Sequence, residues 1–232
     1  MQGIFALGFL LGFQHALEAD HLAAVASLAT GSKGLRGAVR NGMVWGLGHT
    51  LTLLLFGGAA LVAGRLVPDQ FAAALEFAVG LMLVALGLDV LWRLRRQRVH
   101  IHRHRHGHRE HFHAHVHPAG EAHAALPHEH RHPQRFPLRA FAVGMMHGMA
   151  GSAAIVVLTL KTVHSPAEGL VYVLLFGLGS VLGMAILSTV ISLPLRWTAK
   201  SLSRAFHGVN ACVGLATVGL GLYVMYAART AI

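Results

Sequence analysis

Four ionisable side chains lie close together in an apolar stretch near the amino end of the chain: His15, Glu18, Asp20 and His21. Each ionisable group at the centre of a membrane helix costs about 2.5 to 3.5 kcal/mol on insertion scales, so such groups indicate function. Imidazole nitrogens and carboxylate oxygens together suit nickel, cobalt, zinc or iron, and the cluster lacks the thiolate that copper(I) prefers. The segment therefore predicts a site for a divalent transition metal.

The four groups cannot all point to one place from a regular helix. At about 100° per residue, His15, Glu18 and His21 share an arc of about 120°, whereas Asp20 lies about 100° beyond His21. We therefore expect either a break in the helix or help from partner helices. Two alternatives stay open here: a buried carboxylate and histidine network that only clamps helices, and a proton relay without metal.

The composition of the chain is typical of a membrane protein. Of its 232 residues, 54% are hydrophobic and 12% are charged, whereas a soluble domain carries about 25% charged residues. The formal net charge is +10, but the basic residues lie between apolar runs rather than on one face, so no nucleic-acid partner is expected. Cys212 is the only cysteine, which excludes an intrachain disulfide.

Six apolar runs are long enough to cross a bilayer, which takes roughly 20 helical residues. Lysine and arginine cluster after the first, third and fifth runs, and the positive-inside rule makes that side cytoplasmic. Both termini are then predicted to face outward. The predicted spans are residues 3–29, 42–64, 71–92, 138–160, 169–193 and 206–228.

The second half of the chain repeats motifs of the first. Residues 12–15 and 144–147 both begin with glycine and end with histidine, and GLGH at 46–49 aligns with GLGS at 177–180. The tripeptides VGL and LGL of the third run recur in the sixth. Because a unit of three helices returns the chain to the opposite side, the second copy must be inverted, as in many secondary transporters. The predicted fold class is an all-α membrane protein with six transmembrane helices in a 3+3 inverted repeat.

Two further histidines lie in these repeated motifs, His49 and His147. Either one alone could be a packing histidine, but the duplication would carry both to equivalent depths. They are predicted to bind the ion or to support its ligands. The predicted metal site is His15, Glu18, Asp20, His21, His49 and His147, and no catalytic residue is predicted.

Residues 100–132, between the third and fourth runs, contain thirteen histidines. The segment has few large apolar residues, so it is expected to be disordered without metal. Clustered imidazoles bind nickel, cobalt, copper or zinc with little discrimination. We predict a cytoplasmic metal collector, buffer or sensor, with a solvated linker as the alternative. The predicted accessory ligands are His100, His102, His104, His106, His108, His111, His113, His115 and His117.

The sequence HALEADH contains an H-x4-D-H pattern formed by His15, Asp20 and His21. This pattern resembles the signature of the nickel/cobalt permease superfamily, which includes uptake permeases, urease-associated permeases and efflux proteins with histidine-rich loops. The segments 48–50 and 147–152 also resemble its shorter, six-helix members. The resemblance implies that the three residues bind or select the ion. Two positions depart from the uptake signature, which tends to have aspartate at position 18 and arginine at position 14.

These observations predict a carrier for Ni²⁺ or Co²⁺ in a prokaryotic cytoplasmic membrane, with the ion as substrate and no permanently bound cofactor. The predicted repeats are residues 1–92 and 138–232, separated by a cytoplasmic histidine-rich loop at 93–137. The expected partners are the metal ion, the bilayer and a cytoplasmic metallochaperone, and the direction of transport stays open. The chain is not predicted to be an enzyme. A metal-dependent membrane hydroxylase or desaturase, and an exporter of small anions on a similar repeat fold, are the alternatives.

Overall fold

The first predicted span is divided into two helices in the computed structural model. Helix α1 covers Gln2–His15 and α2 covers Ala19–Ala29. Between them Glu18 has extended backbone angles (φ −64°, ψ 153°), and its amide donates to the carbonyl of His15 in a tightened last turn of α1. The predicted span at residues 3–29 is therefore interrupted, and a break, one of the two expected solutions for the ionisable groups, is present.

The other helices are continuous over the predicted apolar runs. The structure describes residues 2–30, 34–63, 68–96, 99–106, 109–116, 136–163, 165–201 and 203–229, and within these it describes only the backbone of 2–5, 61, 99–106, 109–116, 152–162, 166, 196–201 and 203–205. Helix α3 (Gly34–Thr52) continues through a π-helical turn (Leu53–Gly57) into α4 (Gly58–Ala63). The remaining helices are α5 (Asp69–Arg96), α6 (Leu138–Thr162), α7 (Pro166–Ser201) and α8 (Ser203–Arg229).

Within the described residues, four helical segments are long and apolar enough to cross a membrane: Gly34–Ala60, Asp69–Arg96, Ala167–Leu195 and Phe206–Arg229. They cover the second, third, fifth and sixth predicted spans. The first span is interrupted, and the side chains of α6, over the fourth span, are described only as far as Gly151. The chain is a multi-pass helical membrane protein, and the total of six spans stays a prediction.

Part of the histidine-rich loop forms an antiparallel hairpin of strands β1 (Val99–His106) and β2 (Arg109–Val116). Its backbone register places His100 opposite His115, His102 opposite His113 and His104 opposite His111. The prediction of disorder was wrong for these residues, because histidine at every second position has the two-residue period of a β-strand. His108 and His117 lie outside the described residues, as does the rest of the loop up to residue 135.

Glycines let the long helices pack closely, and two of these contacts are reciprocal. Gly12 of α1 lies against the carbonyl oxygen of Phe176 in α7, and Gly144 of α6 lies against the carbonyl oxygen of Trp45 in α3. A side chain at either glycine would collide with that backbone. The repeated motifs align Gly12 with Gly144 and position 45 with position 176, so the repeat exchanges the two contacts.

Helices α5 and α8 show the same reciprocity in the third and sixth predicted spans. Gly80 lies against the carbonyl oxygen of Gly221, and Gly87 lies against that of Gly214. The recurring VGL and LGL tripeptides align Gly80 with Gly214 and Gly87 with Gly221. Small residues at such crossings bring membrane helices together by close van der Waals contact.

Charged side chains join α2, α5 and α6 near the carboxyl ends of α2 and α5. Asp89 Oδ2 lies 2.6 Å from Arg139 Nη2 and 3.3 Å from Arg93 Nε. Arg93 Nη2 also donates to Thr30 Oγ1 at 3.1 Å and to the Ser27 carbonyl at 3.4 Å. We refer to Asp89, Arg93 and Arg139 as the Asp89 cluster. It links α5 to both α2 and α6.

The variant Gly12→Ala is expected to lower the stability of the folded protein by about 1 to 3 kcal/mol, because an added methyl group overpacks a close helix contact. Thermal unfolding in detergent would measure the loss. Gly219→Ala is the matched control, since its added Cβ meets nothing within 4 Å and alanine is the better helix former by about 0.5 to 1 kcal/mol. Equal stability of the two variants would contradict the close contact at Gly12.

Candidate metal centre

Three histidine rings meet where α1 ends. The ring centroids of His15 and His21 lie 4.6 Å apart, and each lies 5.3 Å from that of His49. One nitrogen from each ring lies within 4.8 Å of the other two. Three such atoms lie at most about 2.8 Å from a common centre, whereas a zinc–nitrogen bond is about 2.0 to 2.1 Å long. A side-chain shift of under about 1 Å would therefore let all three bind a single ion.

A second group of three ligands overlaps the first. Asp20, His21 and His147 also bring one ligand atom each within 4.8 Å of one another. The rings of His21 and His147 have centroids 4.7 Å apart, and Asp20 Oδ2 lies 3.6 Å from His147 Nε2. His21 belongs to both groups and is the geometrical centre of the site.

Contacts at Nδ1 leave the other ring nitrogen free in three of the four histidines. Nδ1 faces an acceptor in each of them: Glu18 Oε1 at 2.9 Å from His15, Asp20 Oδ1 at 3.0 Å from His21, and the Val143 carbonyl at 3.3 Å from His147. A proton on Nδ1 satisfies these acceptors and leaves a lone pair on Nε2. The three Nε2 atoms are buried without a hydrogen-bond partner among the described residues. A ligand histidine whose second nitrogen donates to a carboxylate or carbonyl is typical of metal sites.

His49 completes the centre from α3. Its side chain is fully buried, and neither ring nitrogen has a hydrogen-bond partner in the described part of the chain. Burial of an unpartnered polar group costs about 1 to 3 kcal/mol, so this ring indicates a bound partner. Trp45, one turn earlier, forms a wall of the centre, with its ring 5.4 Å from His21 and 5.6 Å from His147. The π-helical turn begins four residues after His49, and such turns are frequent at functional sites.

A cavity of about 890 Å³ reaches the centre. His15, Asp20, His21 and His147 line it at the break between α1 and α2. It opens to the surface, because Glu18 and other lining residues are exposed. Its lining includes three carboxylates, from Glu18, Asp20 and Glu76, and neither lysine nor arginine occurs among the described residues around it.

The structure brings all six predicted site residues together, although Glu18 is peripheral. Its side chain is 57% exposed and contacts the centre through His15. The predicted accessory histidines at 100–117 lie outside the described side chains, so their role stays a prediction.

Two residues of the site were missed from the sequence. Trp45 is one helical turn from His49, so a search along that helix face would have found it. Glu76 lies within the predicted span 71–92, where the cost of an intramembrane carboxylate is the signal that could have found it.

Residues 3–216 match the family model described as cytochrome C biogenesis protein transmembrane region. The chain belongs to this family. It is also 34% identical over 228 residues to the urease accessory protein UreH of Bacillus sp. (strain TB-90), a match that covers 96% of this chain and 90% of that relative. At this identity and coverage, the two proteins belong to one family.

The chain is also similar to the chloroplast protein FOR GROWTH AND FERTILITY 1 of Arabidopsis thaliana, to which it is 26% identical over 219 residues. The match covers 94% of this chain but only 57% of the plant protein. No solved structure matches the chain. The resemblance of HALEADH to the nickel/cobalt permease signature stays a prediction beside these matches.

The variant Asp20→Asn is expected to weaken Ni²⁺ binding about 10- to 100-fold, because it removes the carboxylate that orients His21. His21→Ala should weaken it further, since His21 belongs to both ligand groups. Quenching of Trp45 fluorescence by Ni²⁺ would report binding, with Trp45→Phe identifying the signal. Asp69→Asn, which removes a carboxylate at the start of α5 and outside the cavity lining, should bind as the wild type does. Wild-type affinity in His21→Ala would contradict the shared centre.

Proposed function

We propose that the chain is a membrane carrier for a divalent transition-metal ion, Ni²⁺ or Co²⁺. The observation that carries the proposal is the convergence of four imidazoles and Asp20 at a break in a membrane helix, at the end of an open cavity. Secondary transporters place their substrate at such interrupted helices near the bilayer midplane. Imidazole and carboxylate ligands suit nickel, cobalt and zinc, and the choice among them depends on geometry.

The charge of the cavity supports a cation as cargo. Glu18, Asp20 and Glu76 line it, and no lysine or arginine accompanies them there among the described residues. A cleft lined by charges of one sign concentrates the opposite ion. This is the observation that disfavours the anion exporter, since a small anion would meet three carboxylates before it reached the histidines.

The comparisons support nickel or cobalt over other ions. The Bacillus relative is named as a urease accessory protein, and the superfamily that HALEADH resembles includes urease-associated permeases. A metal-dependent membrane enzyme is the remaining rival, and it requires an oxidisable substrate and a stable iron centre. Iron retained in purified protein at two ions per chain would favour the enzyme over the carrier.

We also propose that six spans form a 3+3 inverted repeat, with residues 1–92 and 138–232 as the two units and 93–137 as the loop between them. The reciprocal contacts of Gly12 with Phe176 and of Gly144 with Trp45 support this arrangement. The reciprocal glycine contacts of α5 and α8 support it independently. Two three-helix units related by a two-fold axis in the membrane would produce both sets of contacts.

The membrane orientation of the proposed carrier follows from its basic residues. We place the loops after the first, third and fifth spans, including the histidine-rich hairpin, in the cytoplasm, and both termini outside. The histidines of the hairpin would then exchange metal with a cytoplasmic metallochaperone. In this orientation Glu76 lies towards the outer face and the Asp89 cluster lies towards the cytoplasm, so the cavity opens outward.

We assign the Asp89 cluster the role of closing the cytoplasmic end. It joins α2, which carries Asp20 and His21, to α6, which carries His147, through Asp89 and Arg93 of α5. Release of these contacts would separate the helices on that side, and the ion could leave the histidines towards the cytoplasm. The same movement in reverse would load an exported ion, so the mechanism is compatible with either direction.

Transport is expected to require the centre but not the loop. Uptake of radioactive nickel into proteoliposomes should fall at least tenfold in His21→Ala, because both ligand groups lose a member, and should persist when residues 100–132 are deleted. His207→Ala, whose ring lies outside the cavity lining, is the control for loss of a histidine. Wild-type flux in His21→Ala would refute the carrier mechanism. Cells without the protein should accumulate more metal if it exports and less if it imports.

Asp89→Asn is expected to shift the population away from the outward-open form, because both arginines lose their carboxylate partner. A cysteine placed at Gln14 in the cavity wall, in a Cys212→Ser background, should react several-fold more slowly with an impermeant maleimide added from outside. Asp69→Asn provides the charge-matched control. An unchanged labelling rate would show that the cluster does not close the cytoplasmic end.

A further inference from the structure

Glu76 is a carboxylate within a predicted membrane span, and neither the metal centre nor the Asp89 cluster uses it. It lies seven residues after the start of α5, about 10 Å along the helix axis. Its side chain is exposed and lines the cavity. A charged carboxylate facing lipid at this depth would cost several kcal/mol. A position on the cavity wall keeps it hydrated and avoids that cost.

Glu76 differs from the other two carboxylates of the cavity because it is not engaged by a histidine. Glu18 contacts His15, and Asp20 contacts His21 and His147. Within the described residues no hydrogen bond or ion pair joins the Glu76 side chain to another group. The wall around it comes from α5 and α8, with Val79, Tyr223, Val224 and Ala227 as lining residues. Its negative charge is therefore directed into the cavity without internal compensation.

The same cavity ends at buried nitrogen atoms that lack hydrogen-bond partners. Within the described residues neither Nε2 of His21 nor Nε2 of His147 makes a hydrogen bond, and both residues are only 2% exposed. A cation that enters beside Glu76 therefore meets a free carboxylate first and the buried imidazoles afterwards. The two kinds of ligand also differ in chemistry, because carboxylate oxygen is harder than imidazole nitrogen.

We propose that Glu76 is a transient binding residue that captures the hydrated divalent cation in the outer part of the cavity and passes it to the histidine centre. The proposal rests on the carrier function above. The carboxylate holds the ion through its water shell, as carboxylates commonly hold strongly hydrated divalent ions. It therefore raises the rate of capture without choosing among metals. The choice is made at the imidazoles, where the ion sheds water.

The association rate of Ni²⁺ with the intact chain in detergent tests this role. Stopped-flow quenching of Trp45 reports arrival at the centre, because the Trp45 ring lies beside His21 and His147. At an ionic strength of about 0.01 M, where the Debye length is about 30 Å, Glu76→Gln should slow association about three- to tenfold. At about 1 M the difference should vanish. At low ionic strength the dissociation rate should fall by the same factor as the association rate, because a residue that holds the ion only in transit leaves the equilibrium affinity unchanged. Glu76→Asp should retain most of the wild-type rate, and Asp69→Asn should retain all of it.

Three other results of these rate measurements would each contradict either the role of Glu76 or the proposed function. Equal association rates for Glu76→Gln and Asp69→Asn at low salt would show that Glu76 does not capture the ion. Faster dissociation with unchanged association would make Glu76 a ligand of the final centre and would equally refute a transient role. If Ni²⁺ did not quench the fluorescence of Trp45 in the wild-type protein, the proposed function would be overturned, and the role of Glu76 with it.

Discussion

The interruption between α1 and α2, within the first predicted span, is the constraint on which the rest of the structure depends. Inside a bilayer no water is available for backbone groups, so a break is tolerated only where protein supplies hydrogen-bond partners or lines a cavity. Here the carbonyl of Gly12 accepts from Ser180 Oγ at 3.0 Å, across the contact with α7. Ser27 Oγ and Thr217 Oγ1, 3.1 Å apart, join α2 to α8. Small and hydroxyl side chains thus stabilise the two halves of the helix, and the break brings His15 and His21 together.

The electrostatics of the site follow from that break. Asp20 lies in the first turn of α2, where a carboxylate interacts favourably with the helix dipole. Oδ1 of the same carboxylate accepts from His21 Nδ1 and orients that ring, while Oδ2 lies 3.6 Å from His147 Nε2, so both atoms could face one ion. A chain with a formal net charge of +10 therefore has a cavity lined by carboxylates, because its basic residues lie in the loops and at helix ends. Basic residues in the loops can thus hold the chain in the membrane, while carboxylates elsewhere in the sequence attract cations.

The sequence predicted the chemistry of the site more completely than its geometry. Ionisable residues in apolar runs stand out by their cost, so His15, Asp20, His21, His49 and His147 could be chosen without a structure. The sequence predicted the break only as one of two ways to bring the ionisable groups together, the other being partner helices. Helix periodicity limits which residues share a face, but it does not locate a turn. Hydropathy could not show that Glu18 is peripheral, since exposure depends on the neighbouring helices. The hairpin in the loop was missed because composition was weighed above the alternation of histidine.

Reciprocal glycine contacts have an energetic consequence for the proposed carrier, which would alternate between two shapes. If each half can adopt the backbone arrangement of the other, the outward and inward forms contain nearly the same helix crossings and differ little in packing free energy. The free-energy barrier between the two forms, and the preference for one of them, then depend on the groups that differ between the two halves. Position 180 carries serine where the aligned position 49 carries histidine, whereas His15 aligns with His147, so the ligand set is only partly duplicated with the scaffold. When two forms of the helix scaffold have nearly equal free energy and the ligand set is asymmetric, the binding of a single ion can shift the equilibrium between them.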